Sequence, residues 1–142
     1  MTSRAKTWRT LRDLAAQESE RVLAILDSFL QKRGAAQNLV QKLQDAQSDA
    51  AGIRVVGGQI SPLVLTTGTA YAGRLSDALA RQKNEVAAID RQVMHWQQQL
   101  AQSRTKELAY ARLLERGMAQ EQAQQLKTEQ KLMDELASRS AR

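Results

Sequence analysis

Residues 52–69, GIRVVGGQISPLVLTTGT, divide the chain into two parts that both have helical composition. This stretch holds the only Pro and four of the seven Gly residues, which are the strongest breakers of regular structure. Outside it, Ala, Leu, Gln, Lys, Arg and Glu predominate, and all are good helix formers. The sequence therefore predicts helix 1 over about 4–51, a connector over about 52–60 and helix 2 over about 61–139.

The start of helix 2 has a recognisable sequence signal. Ser61 is a preferred capping residue, and Pro62 fits the first helical turn because its missing N–H is not needed there. The residues that follow have poor helix propensity, and they include Thr66, Thr67 and Gly68. The sequence leaves open whether residues 61–70 are helical or extend the connector.

Both helical parts carry the alternating spacing of three and four residues that defines a coiled-coil core. In helix 1 only Glu18 and Lys32 interrupt the apolar pattern, and in helix 2 the pattern fails beyond Leu114, at Gly117 and Glu121. The predicted core of helix 1 is Trp8, Leu11, Ala15, Glu18, Val22, Ile25, Phe29, Lys32, Ala36, Leu39, Leu43, Ala46 and Ala50. The predicted core of helix 2 is Leu65, Gly68, Ala72, Leu75, Leu79, Gln82, Val86, Ile89, Val93, Trp96, Leu100, Ser103, Glu107, Tyr110 and Leu114.

Two such helices joined by a short connector predict an all-α fold, a long antiparallel two-helix coiled coil that forms a single domain over 1–142. Depending on where helix 2 begins, Trp8 is expected opposite Arg104 or opposite Leu114. Helix 2 is longer than helix 1, so about its last 30 residues are expected to overhang without a partner, which is a marginal state for an isolated helix.

Composition excludes several classes of protein. The chain has no Cys and one His, His95, so it cannot form a disulfide framework, a thiolate zinc site or a centre with two histidines. No motif suggests catalytic residues, a cofactor or a metal, and we expect no enzyme activity. No apolar run approaches the length of a membrane span, and the basic N-terminus lacks the apolar region of a signal peptide, so we expect a cytoplasmic protein.

The formal net charge is +6, and one dense basic cluster lies at the N-terminus, formed by Arg4, Lys6, Arg9 and Arg12. These cations oppose the helix dipole, so they are not placed there for helix stability. One interpretation is an electrostatic contact with an acidic partner or nucleic acid; the other is a solvated helix start. Elsewhere positive and negative residues alternate, which is not the continuous basic face expected of a DNA-binding protein.

Tyr71 is the one aromatic residue outside the predicted core. Together with Leu75, Ala78 and Gln82 it has the spacing of a stripe along one face of helix 2. The stripe indicates either a partner-binding surface near the connector or ordinary packing at the edge of the hairpin.

Three segments of the chain resemble one known family. They are residues 11–18 (LRDLAAQE), the start of helix 2 with Ile60, Pro62, Leu65 and Tyr71, and residues 130–137 (QKLMDELA). The last is the most specific. At matching spacing these segments are similar to the flagellar type III export proteins of the FliJ family.

The resemblance implies a cytoplasmic antiparallel coiled coil that acts like a central stalk and associates peripherally with the inner membrane at the flagellar base. It implies binding to the hexameric export ATPase and its regulator, to the cytoplasmic domain of the export gate protein and to export chaperones, with no nucleic acid and no cofactor. It maps the gate contact to Tyr71, Leu75, Ala78 and Gln82. We assign the ATPase contact to the terminal end, at Arg4, Lys6, Arg9, Arg12, Lys131, Met133, Asp134 and Glu135.

Three alternatives remain open at the level of the sequence. The chain could be the equivalent stalk of a virulence type III injectisome, or a structural coiled coil that forms homodimers. A helical nucleic-acid-binding protein is the third, since the net charge is positive.

Overall fold

A computed structural model of the chain describes residues 3–56 and 62–141, and the side-chain environments of residues 3–51 and 67–141. Two helices are present in these ranges, α1 over Ser3–Val56 and α2 over Pro62–Ser140, and there is no strand in them. The all-α class predicted from the sequence is confirmed. The chain divides into two compact units, each built from a segment of α1 and a segment of α2.

The helix boundaries differ from the expected ones at the connector. α1 continues to Val56, so residues 52–56 are helical although the sequence predicts them as connector. α2 begins at Pro62, in agreement with the role of a proline in a first turn, and its first residues are helical despite their low propensity. The remaining connector residues, 57–61, lie outside the described residues, as do the side-chain environments of 52–66.

Unit 1 combines Met1–Leu23 with Gln98–Arg142. Small and medium apolar side chains form its core, because two helices in close contact leave room for little more. The rings of Trp8 and Tyr110 stack with their centroids 6.2 Å apart, so Trp8 lies opposite a residue between the two expected positions, Arg104 and Leu114. The buried apolar residues of unit 1 are Ala5, Ala15, Val22, Leu100 and Leu114.

Unit 2 comprises Ala24–Gln97. Arg33 forms an ion pair with Asp90 (3.7 Å), and the Gln82 amide donates a hydrogen bond to the Ala36 carbonyl oxygen (3.4 Å). A later residue of α1 thus contacts an earlier residue of α2, so the two helical segments run antiparallel. The core is apolar, with Val93 only 2% exposed. The other buried apolar residues of unit 2 are Leu26, Ala36, Leu75 and Leu79.

The core register of α2 follows the sequence prediction over its described part, from Gly68 to Leu114. It also continues further than expected, because Gly117 and Glu121 are half-buried at the next two core positions. Every residue from 122 to 141 is exposed, and we call this segment the tail. The predicted overhang of about 30 residues is therefore too long, since only the residues from 122 onward are exposed without exception.

The core register of α1 is only half as predicted. Each heptad has two core positions. The first, at Trp8 and every seventh residue to Ala50, faces α2 as predicted, whereas the second is buried one residue later than expected. Leu26 is buried and Ile25 is not, and Ser19 is buried whereas Glu18 is exposed. The residues that are more buried than the expected ones are Ser19, Leu26, Arg33 and Val40, which follow Glu18, Ile25, Lys32 and Leu39. At the two ends of this series both neighbours are half-buried, Leu11 with Arg12 and Ala46 with Gln47.

Ser19 carries an energetic cost in this register. Its hydroxyl oxygen is buried and has no hydrogen-bond partner. An unpaired buried hydroxyl costs about 1–3 kcal/mol, and Ser is also a weaker helix former than Ala. We therefore expect Ser19→Ala to raise the free energy of unfolding by about 1–2 kcal/mol, measured by urea denaturation followed by circular dichroism.

Ser28→Ala is the matched control for this measurement. Ser28 lies on the same helix and is exposed, so its replacement changes helix propensity alone and should add only about 0.5 kcal/mol. A loss of stability in Ser19→Ala would contradict the placement of Ser19 in the core.

Candidate partner-binding surfaces

The described residues hold no cluster of three or more His, Cys, Asp or Glu side chains that could bind a metal. His95 is exposed and lies edge-on to Trp96, with ring centroids 5.1 Å apart. One surface concavity, lined by residues such as Lys127, Lys131 and Asp134, involves α2 alone. The side chains that remain as functional candidates are those on the exposed surfaces of the two units.

The predicted stripe on α2 is available only in part. Tyr71 is 52% exposed and Ala78 is half-buried, but Leu75 is 8% exposed and belongs to the core of unit 2. Gln82 is half-buried and its amide bonds to the backbone of Ala36. The stripe fails as a continuous exposed face because two of its four residues occupy core positions, where α1 covers them.

α1 contributes to the same surface, which the sequence reasoning missed. Leu39 and Ala46 come directly before core positions of α1, and Tyr71 and Ala78 come directly before core positions of α2. In an antiparallel pair, residues at this equivalent position flank the interface on the same side. Leu39 is 45% exposed and Ala46 is half-buried.

These four residues, Leu39, Ala46, Tyr71 and Ala78, form what we call the unit 2 patch. It is a composite apolar surface with one large aromatic side chain, the residue type enriched at the centres of protein–protein interfaces. Leu39 could not be found from the sequence because the heptad pattern places it in the core, where an apolar residue needs no other explanation.

The second predicted contact lies on unit 1. Arg4, Lys6 and Arg9 are exposed near the start of α1, and Arg12 is close to Asp13, with 3.2 Å between a guanidinium nitrogen and a carboxylate oxygen. The tail residues of this assignment, Lys131, Met133, Asp134 and Glu135, are all exposed.

The two parts of the unit 1 assignment do not lie together. The basic cluster is level with Tyr110 and Leu114, because Trp8 stacks on Tyr110. Lys131 follows Leu114 by 17 residues of helix, which places it about 25 Å further along the axis. The tail also exposes large apolar side chains, Leu126, Leu132, Met133 and Leu136, each more than half exposed. Basic cluster and tail are therefore two surfaces of unit 1, not one site.

The fold and these surfaces define a two-helix antiparallel coiled-coil protein with exposed apolar and basic patches. Among the described residues, neither helix has a segment long and apolar enough to cross a bilayer.

The family model described as Flagellar FliJ protein matches residues 6–142, and the chain belongs to this family. It is accordingly a protein associated with flagellar export. Comparison with curated proteins gave no match, and comparison with solved structures gave none.

Proposed function

We propose that this chain is a non-enzymatic component of the flagellar type III export apparatus that couples the export ATPase to the export gate. In this proposal the unit 2 patch contacts the cytoplasmic domain of the gate protein. Unit 1 contacts the ATPase and its regulator, through the N-terminal basic cluster and the tail. The protein also assists export chaperones and associates peripherally with the inner membrane at the flagellar base.

The exposure of Tyr71 carries the proposal. About half of this aromatic side chain is open to solvent, and its heptad position places it on the same side of the helix pair as Leu39 of α1. A tyrosine in this setting gains free energy when a partner covers its ring and gives its hydroxyl a hydrogen bond. The family resemblance independently maps the gate contact to this residue, so chemistry and family agree on one position.

The tail supports the second half of the proposal. A helix of about 20 residues whose side chains are all exposed is marginal in water, and the tail exposes four large apolar side chains. Docking against a partner would bury those side chains and stabilise the helix. The membership of the flagellar family favours the flagellar apparatus over an injectisome.

The direct experiment is a pull-down in which the immobilised full-length chain is offered the purified gate cytoplasmic domain and the purified export ATPase. We expect both to be retained. Light scattering of the free chain serves as the control for the homodimer alternative, and we expect the mass of a single chain. Retention of neither protein, or a stable dimer that buries the unit 2 patch, would contradict the proposal.

A further inference from the structure

Nearly all of the net charge of the protein is concentrated at one place in unit 1. Residues 3–13 of α1 and 104–118 of α2 together hold eight Lys and Arg residues against three acidic ones, a net charge of +5 out of the total of +6. The two segments are packed side by side, since Trp8 stacks on Tyr110 and Leu114 is 4% exposed. We call these two segments the basic end.

Folding does not explain this concentration of charge. Arg12 is the one cation of the basic end whose ion pair falls within the described residues, and its partner is the adjacent Asp13. Arg104, Arg112 and Arg116 are exposed, and none of them forms an ion pair within residues 3–56 and 62–141. Like charges repel one another, so gathering these cations in one place destabilises the fold. Binding of an external anion would relieve this repulsion.

Three of the arginines form a row with one leucine between them. Arg104, Leu108, Arg112 and Arg116 follow each other at intervals of four residues, which places them along one ridge of α2 that is about 18 Å long. Leu108 is 59% exposed. We call these four residues the arginine ridge.

We propose that the arginine ridge, with the neighbouring cations of the basic end, binds a bilayer surface rich in anionic phospholipid. The guanidinium groups bind lipid phosphates, for which their planar donor geometry is suited. Leu108 enters the boundary between headgroups and acyl chains, as apolar residues of surface-bound helices do. A cluster of four to eight cations supports such binding. The ridge supplies three cations and the rest of the basic end five, of which Arg12 is paired with Asp13.

The apolar residue within the ridge distinguishes a bilayer from a nucleic acid. Leu108 gains nothing from the phosphate backbone of a duplex, whereas it gains free energy at the acyl boundary of a lipid surface. Trp8 and Tyr110, the two aromatic residues of the basic end, stack on one another and are half-buried, so they do not present free rings for stacking on bases. This proposal rests on the peripheral membrane association of the proposed function and names the chemistry of that contact. The basic end shares Arg4, Lys6, Arg9 and Arg12 with the proposed ATPase contact, whereas the arginine ridge is not part of it.

The test is co-sedimentation of the full-length chain with vesicles of phosphatidylglycerol and phosphatidylcholine, compared with vesicles of phosphatidylcholine alone. We expect binding to the anionic vesicles only, and its loss as salt shortens the screening length below about 8 Å. Arg112→Ala/Arg116→Ala should weaken binding about 25-fold, which is about fivefold for each cation removed. Leu108→Ser should weaken binding without changing the net charge.

Arg81→Ala/Arg91→Ala is the matched control, because it removes the same charge from exposed positions of α2 in unit 2. We expect its affinity for anionic vesicles to stay within about twofold of wild type. Circular dichroism should show full helicity in every variant, since all substituted residues are exposed. Equal losses in the two double variants, equal binding to neutral vesicles, or loss of duplex DNA or ATPase binding with vesicle binding unchanged would each overturn the proposal.

Discussion

Leu26→Ala is expected to lower the free energy of unfolding by about 2–5 kcal/mol, the usual cost of truncating a buried leucine. Leu26 is 6% exposed in unit 2, in a two-helix core where each layer contains few side chains. Within residues 24–56 and 62–97, α2 is the one helix that packs against α1, so no further helix of these ranges can move in to fill the cavity. The measurement is urea or thermal denaturation of the variant and the wild type, followed by circular dichroism.

Leu23→Ala provides the matched control on the same helix. Leu23 is 45% exposed, so its truncation should cost less than about 1 kcal/mol. Ile25→Ala extends the comparison, since the sequence pattern places Ile25 in the core and the structure places Leu26 there. If Ile25→Ala or Leu23→Ala destabilised the protein more than Leu26→Ala, the core register of α1 given above would be wrong.

Tyr71→Ala is expected to weaken binding of the gate cytoplasmic domain about 30-fold or more, the scale of an interface hot spot of about 2 kcal/mol. The effect should lie in binding alone. Tyr71 is 52% exposed and lies outside the core positions of α2, and Ala is a better helix former than Tyr. Isothermal titration calorimetry of the folded variant against the gate domain measures it.

Comparison of Leu39→Ala with Met94→Ala tests whether gate binding depends on the unit 2 patch or on any exposed apolar residue of unit 2. Both residues are large, apolar and exposed in unit 2, but only Leu39 belongs to the unit 2 patch. We expect Leu39→Ala to weaken gate binding by about tenfold and Met94→Ala to leave it within about twofold. Undiminished binding by folded Tyr71→Ala would remove the assignment of the gate contact to this patch.

The two helices differ in how well their cores can be predicted from the sequence. In α2 the outer positions next to the core are mostly polar, such as Glu85 and Gln92, so the heptad pattern allows one register. In α1 the apolar pattern favours the wrong register: four of the six observed alternate positions, Arg12, Ser19, Arg33 and Gln47, are polar, whereas only Glu18 and Lys32 are polar in the expected set. The structure selects the register in which Arg33 pairs with Asp90, a contact between residues far apart in sequence.

The candidate surfaces, like the core of α1, can be predicted from the sequence only where they do not depend on how the two helices pair. The position of Tyr71 beside the core follows from the heptad pattern of α2 alone, but the sequence left open whether its side chain is exposed or packed at the edge of the hairpin. The contribution of Leu39 requires the register of α1 and the antiparallel pairing together. Likewise, the N-terminal basic cluster is visible in the sequence, but Arg112 and Arg116 join it only because Trp8 packs against Tyr110.

The central claim is that the chain has two separate partner surfaces, the gate contact on unit 2 and the ATPase contact on unit 1. The most direct test offers the gate cytoplasmic domain and the export ATPase together to three immobilised proteins: wild type, Tyr71→Ala and a deletion of residues 122–142. We expect wild type to retain both partners, Tyr71→Ala to retain the ATPase and lose the gate, and the deletion to retain the gate and lose the ATPase. Loss of both partners from either folded variant, or of neither from both, would contradict the claim.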